Sequence, residues 1–304
     1  MPPGMDLLVG AVDCHVHACP HINARTVNVL EATRQAAGAG MSAVGLMDNF
    51  CNSSGMAALA MAELGDLMID VFGGLIMEPP AGGVTVEAAR IALAYGYGPG
   101  TGARYISMPT HHTRNIARSE GRSPSYIDGC FYIPSNGELP DPLPEILDLI
   151  IRHDVVLNTG HLSAEEALRL TQEAKKRGVN RIMVPCGGYP PEAIREIAAA
   201  GAFAEFSFFF LTHATQVGLT HVDEEKHTGV SMTLAEMVEA IRAATPQRAI
   251  LSGDLGVFVL PPPVEGFREF LVVLGQSGFS REELQRMSAT NPAHLFHVRP
   301  GGQP

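Results

Sequence analysis

Val9-Gly10-Ala11-Val12-Asp13-Cys14-His15-Val16-His17 is a short valine-rich run that ends in two histidines two residues apart. A run of this length and composition reads as a buried β-strand. Side chains alternate across a strand, so His15 and His17 share one face, with Asp13 one step deeper on it. Comparable runs follow at Ala43–Asp48, Asp70–Glu78, Ala103–Pro109, Val155–His161, Arg181–Cys186, Ala202–Phe208 and Ala249–Asp254. Helical segments separate them, a pattern that indicates parallel strands covered on both faces. The expected fold is therefore α/β: a single (β/α)8 TIM-like barrel over residues 1–304, preferred to a doubly wound sheet.

The intervening helices carry their own boundaries. Ser163 with Glu166, Thr233 with Glu236 and Ser280 with Glu283 fit the capping box, in which two backbone amides at a helix start are satisfied reciprocally. Pro191 suits a first helical turn, and Gly178 and Gly201 suit helix ends. Two connections, His111–Pro144 after strand four and Leu211–Met232 after strand seven, are longer than a barrel requires. Both belong to the C-terminal rim, where barrel enzymes keep their chemistry. Asn136-Gly137 is expected to turn a small hairpin within the first. Arg104, Arg114, Arg118 and Arg122 cluster around that loop and form either a receptor for an anionic substrate group or a solvated basic face.

The formal net charge of −11 argues against a nucleic-acid surface, which needs clustered cations to neutralise phosphates. No basic segment followed by an apolar stretch opens the chain, and no run reaches the ~18 apolar residues of a membrane span. A cytoplasmic protein is expected, without membrane or nucleic-acid partners, that acts on a small molecule and is compatible with a homo-oligomer. The cysteines, Cys14, Cys19, Cys51, Cys130 and Cys186, are odd in number and lack CxxC spacing, so reduced thiols are expected.

Candidate chemistry gathers at the predicted C-terminal strand ends. Two imidazoles on one strand supply half of a tetrahedral or five-coordinate site for a borderline metal such as zinc. His161 ends strand five and Asp254 ends strand eight, and closure of a barrel makes strand eight the neighbour of strand one. A carboxylate there ligates the metal, takes a proton from its water, or does both. Glu205, among Phe203, Phe206, Phe208, Phe209 and Phe210, needs the lumen or a partner, and either binds substrate or orients a ligand. His111 and His112, after strand four, either reach the substrate or replace a missing ligand. His21, Asp48, Asn49, His213, His221 and His227 complete the candidate rim loops.

Asp13-Cys14-His15-Val16-His17, Thr159-Gly160-His161 and Ser252-Gly253-Asp254 together resemble the amidohydrolase superfamily of metal-dependent barrel hydrolases. Asn291-Pro292-Ala293-His294-Leu295 is similar to the superfamily's closing segment, and the resemblance spans about residues 11–298. It is closest to a poorly characterised branch with a Gly73-Gly74-Leu75 segment on strand three, Met108-Pro109-Thr110 on strand four and Thr159-Gly160-His161-Leu162-Ser163 on strand five. It implies His15, His17 and Asp254 as metal ligands and His161 as a ligand or substrate contact. Two positions depart from it. Cys186 stands where a strand-six histidine is usual, and Gly45-Leu46-Met47-Asp48 has no lysine at the end of strand two. One metal is therefore expected, zinc first, with manganese, iron or cobalt as alternatives. Cys186 is a thiolate ligand or a packed hydrophobe; Glu78 restores a second site or is a surface or salt-bridged carboxylate.

The expected reaction is metal-assisted hydrolysis of an amide, cyclic amide or lactone in a small organic molecule. Asp254 takes the proton from water and returns it to the leaving group. Two alternatives stand beside it: a non-oxidative decarboxylase in which the strand-four arginines grip a carboxylate, and a barrel that keeps ligand binding without catalysis.

Overall fold

Every predicted strand run forms a strand, shorter than its apolar run because the flanking residues turn into loops. A computed structural model describes residues 2–298 apart from 99, 218, 221–225 and 228, and His221 therefore lies outside the described residues. The strands are β1 (Val12–Val16), β2 (Ala43–Leu46), β3 (Asp70–Phe72), β4 (Leu75–Ile76), β5 (Tyr105–Ser107), β6 (Val156–Asn158), β7 (Ile182–Pro185), β8 (Phe203–Ser207), β9 (Leu219–Thr220), β10 (Lys226–His227) and β11 (Ala249–Ser252). The main helices between them are α1 (Val29–Gly38), α2 (Ser54–Glu63), α3 (Val86–Ala94), α4 (Arg114–Ser119), α5 (Pro124–Gly129), α6 (Leu143–His153), α7 (Ala164–Arg177), α8 (Pro191–Ala199), α9 (Leu234–Ala244), α10 (Pro263–Gln276), α11 (Arg281–Gln285) and α12 (Asn291–Leu295).

The strands form parallel sheets in the orders β1-β2-β3 and β11-β8-β7-β6-β5-β4. The third predicted strand is divided into β3 and β4, and Ser53 is the cause. Its amide donates to the Gly74 carbonyl and its Oγ accepts from the Gly74 amide, so Gly74 has no backbone group left for a neighbouring strand. Across the other edges, Asp254 N donates to His15 O and His17 N to Leu255 O, both at 2.8 Å, which ties the end of the last strand to the end of the first.

Two apolar clusters divide the interior. The larger lies between strands and helices. The smaller draws Val12, Cys14, Ala43, Phe72, Tyr105, Val156, Met183 and Ile250 from successive strands and adds Leu295 and Phe296, whose ring stacks on Phe72 at 4.8 Å. Met47, in the segment where the resemblance would have a lysine, belongs to this inner cluster and is 3% exposed.

The predicted capping boxes at Ser163, Thr233 and Ser280 are present, and one more, Asn28 with Glu31, opens α1. Pro191 begins α8, and Gly178 takes the left-handed conformation after α7. The long connection after β5 holds α4 and α5. No strand flanks Asn136-Gly137, so no hairpin forms there: both carbonyls accept from the Arg169 guanidinium, which holds the turn against α7 instead. The connection after β8 contains short turns at Phe208–Leu211 and His213–Gln216 and the antiparallel pair β9/β10. All five cysteines are free. Among the described residues no helix is long and apolar enough to cross a membrane.

Candidate metal centre

The backbone around His15 and His17 is fixed by two tight contacts. A register shift between Asp13 and Val16 against β2 places a bulge at the histidine segment, a device that re-aims a strand's side chains. Gly256 then lies so close beneath His17 that a Cβ on it would stand 1.7 Å from the His17 carbonyl oxygen, and its φ of +123° suits glycine alone. Asp254, two residues earlier, is held at φ +51°, a left-handed conformation that is uncommon for non-glycine residues and that aspartate is among the few to adopt. Asp13 supplies part of that constraint: its Oδ1 accepts from Gly253 N at 2.8 Å and from His15 N at 3.2 Å, clamping the last strand end to the first.

These constraints bring three side chains to one point. Asp254 Oδ1 lies 3.3 Å from His15 Nε2 and 3.1 Å from His17 Nε2, and the donor atoms of the three residues fall within 4.8 Å of one another. On its far side, His15 Nδ1 lies 2.8 Å from Glu205 Oε1, which also accepts from Ser252 Oγ at 2.8 Å. Glu205 therefore fixes the ring with its proton on Nδ1 and leaves Nε2 directed at the centre, the arrangement that holds metal-binding histidines in proteins.

The electrostatics follow the geometry. Burial alone would lower the His15 pKa, but the Asp254 and Glu205 carboxylates outweigh it and raise it to about 9. For Asp254, burial works upward and is overcome by the His15 charge and the His17 hydrogen bond, so its carboxyl lies far below the usual range. Burial dominates at His17 and His161 and pushes both down, which favours neutral rings. Asp13 is pushed up to about 7 by burial despite its amide donors. Two imidazole nitrogens and an ionised carboxylate form a donor set suited to zinc and to other borderline divalent ions. The residues present therefore fit a metal.

The remaining sequence candidates divide. His161 lines the same cavity of about 170 Å³ as His15, His17 and Asp254, beside His111 at 6.2 Å between ring centroids. Gly160 makes that position accessible: its φ is +62°, and a Cβ would meet the Pro109 oxygen at 2.3 Å. His111 also lines the cavity, with Nε2 3.1 Å from Asn49 Nδ2. Glu78 does not join the donor group. Its Oε1 accepts from Thr110 N and His111 N, each at 2.6 Å, and its Oε2 from His112 N at 3.2 Å, so it braces the loop after β5. Cys186 is fully buried in the larger apolar cluster with its thiol on the Val184 carbonyl, and burial pushes the thiol pKa well up, so it packs as a hydrophobe.

The strand-four arginines stand apart from the cavity. Arg104 pairs with Asp70 at the opposite strand ends, Arg114 lies 3.6 Å over the Tyr132 ring, and Arg122 lies 4.3 Å over Tyr126. His112 also faces Tyr126, at 5.6 Å between centroids. Sequence spacing missed these destinations because local aromatic and carboxylate partners, not the cavity, decide where the side chains rest. Sequence reasoning also passed over Arg25, which reaches the cavity from the β1–α1 connection. Its only signal was a lone basic residue eight positions after His17 in a predicted rim loop. His213 is exposed, and the His227 side chain lies outside the described residues.

The profile of a family of unknown function, DUF6282, matches residues 10–205. No curated protein matches the chain. Among solved structures, an amidohydrolase from Pseudomonas aeruginosa is similar at a TM-score of 0.61 and 11% identity, covering 99% of each chain. An organophosphorus hydrolase from Deinococcus radiodurans is similar at 0.56 and 17%, covering 88% of this chain and 82% of that one. An amidohydrolase from Burkholderia multivorans, solved with bound zinc, is similar at 0.54 and 14%, covering 95% and 99%. The likeness is one of fold: this chain has the α/β architecture of amidohydrolase-type enzymes.

Proposed function

This chain belongs to DUF6282, a family of unknown function, and we propose that it is a metal-dependent hydrolase of a small organic molecule. The observation that carries the reading is the convergence of His15 Nε2, His17 Nε2 and Asp254 Oδ1 inside a cavity, with His15 braced by Glu205. His15, His17 and Asp254 would hold one divalent ion, zinc first. When bound, such an ion polarises a carbonyl and lowers the pKa of its bound water to about 7.

The chain's own groups supply the rest. Asp254, ionised at neutral pH, is the acceptor for the proton that leaves the attacking water, and later returns it to the leaving nitrogen or oxygen. Neutral His161, across the cavity, donates a hydrogen bond to the developing oxyanion. Phe209, Phe210, Leu162 and Ile116 line the walls and exclude water from the bond under attack. The substrate class we favour is an amide, cyclic amide or lactone.

Closure of the strands into one (β/α)8 barrel is part of this proposal. It is supported by the hydrogen bonds from Asp254 N to His15 O and from His17 N to Leu255 O, and by the inner apolar cluster to which successive strands contribute. The decarboxylase alternative rested on the strand-four arginines, which lie away from the cavity.

Elemental analysis of the purified full chain, beside a His15→Ala/His17→Ala double variant, tests the centre. About one equivalent of metal in the first and none in the second is expected. Full retention in the double variant, or no hydrolysis by metal-loaded protein across a panel of lactones and amides, would overturn the reading.

A further inference from the structure

Arg25 enters the cavity on a backbone that is held at several points. It bridges Val257 in antiparallel fashion, and Thr26 N donates to Gly256 O at 2.9 Å, so this connection is fastened to the segment that carries Asp254. The guanidinium lines the cavity that contains His15, His17 and Asp254. Nη2 lies 2.8 Å from His21 Nε2, whereas Nε and Nη1 are buried and meet no hydrogen-bond acceptor among the described residues.

An arginine stays charged in such surroundings. Burial lowers its pKa, and the Asp254 and Asp48 carboxylates act against that. Neither carboxylate is engaged with it directly: Asp254 Oδ1 faces the two histidines, and Asp48 Oδ1 accepts from Phe50 N at 2.7 Å and Cys51 N at 3.2 Å. A buried cation with two idle donors costs stability unless an anion or water completes it. Most of the remaining wall is apolar, with Ile116, Leu162, Phe209, Phe210 and Val257 facing the same space.

We propose that Arg25 receives an anionic group of the substrate, and that the substrate is a small acid whose apolar body lies against these walls while its scissile bond faces His15, His17 and Asp254. This rests on the hydrolase reading and narrows its substrate class to amides or lactones that carry a carboxylate. The anion receptor is thus placed in the β1–α1 connection and not in the loop after β5.

The test uses the metal-loaded full chain and two probes of matched shape, phenylacetate and the neutral phenylacetamide, titrated calorimetrically into wild type and Arg25→Gln, with metal content measured in each sample. Wild type is expected to prefer phenylacetate. Arg25→Gln, still metal-loaded, should bind phenylacetate about tenfold more weakly or worse, the scale of one charged hydrogen bond, and phenylacetamide within about twofold of wild type. Equal phenylacetate affinity in wild type and metal-loaded Arg25→Gln, or no preference for the acid over the amide in wild type, overturns the proposal. Absence of metal from wild type, with Arg25-dependent phenylacetate binding intact, overturns the hydrolase reading and leaves Arg25 as the anion receptor of the cavity.

Discussion

Glu205 Oε1 lies 2.8 Å from His15 Nδ1, and this one contact joins β8 to β1 across the interior and aims His15 Nε2 at Asp254. A strand-seven carboxylate therefore sets the tautomer of a strand-one histidine. Removing its charge in Glu205→Gln is expected to weaken metal affinity by about 10–100-fold, the usual effect of losing such a partner. Competition against a chelator of known affinity measures this, and unchanged affinity would show that His15 needs no brace.

Asp254 carries both a donor atom and the proposed proton transfer. Asp254→Asn keeps the shape and removes the charge, so hydrolysis should fall by about 10²–10⁴-fold. Residual metal is to be measured in the same samples, since retained metal with lost turnover separates proton transfer from binding.

Glu78 offers a contrast with these two. Its oxygens hold the amides of Thr110, His111 and His112. Glu78→Ala leaves those donors unmet and should destabilise the fold by roughly 2–4 kcal/mol, since each lost charged hydrogen bond costs about 1.5–3 kcal/mol and the loop relaxes in part. Metal stoichiometry should not change. A drop in stoichiometry at constant fold would make Glu78 a ligand after all.

Metal-free protein should show a pH signature. The folded His15 pKa is raised to about 9 by Asp254 and Glu205 against the effect of burial, and the unfolded value is about 6.5. The contribution is fully present below pH 6.5 and is lost as pH rises through about 9. At 1.36 kcal/mol per unit, it amounts to about 3 kcal/mol at most. Urea denaturation of chelator-treated wild type and His15→Gln at pH 6 and pH 9.5 isolates it: the gap between the two proteins should narrow at the higher pH. Metal loading should flatten the dependence, because a ligating imidazole has already released its proton.

Gly256 tests the mould beneath His17. With φ +123° and no room for a Cβ, Gly256→Ala should cost about 2 kcal/mol or more and weaken metal binding by displacing His17. Denaturant midpoints and metal titration report the two effects separately.

The alternation of Val9–His17 and its successors with capped helices determined the parallel α/β order, because strand burial and helix capping are local properties written in short stretches. The pairing of His15 with His17 was equally local, since a strand's period of two leaves them one face. Asp254 could be placed near them only by assuming that the last strand meets the first, and the His15 and Leu255 carbonyls that join these segments lie more than two hundred residues from their amide donors along the chain. The fates of Glu78, Arg114 and Arg25 were not legible. Each is a charged residue in or beside a rim loop, and a charge goes where a partner can compensate its lost hydration: loop amides for Glu78 and an aromatic face for Arg114. Arg25 alone of the three is brought to the cavity with donors to spare, because backbone contacts with the Gly256–Val257 segment, formed only in the tertiary structure, hold it there.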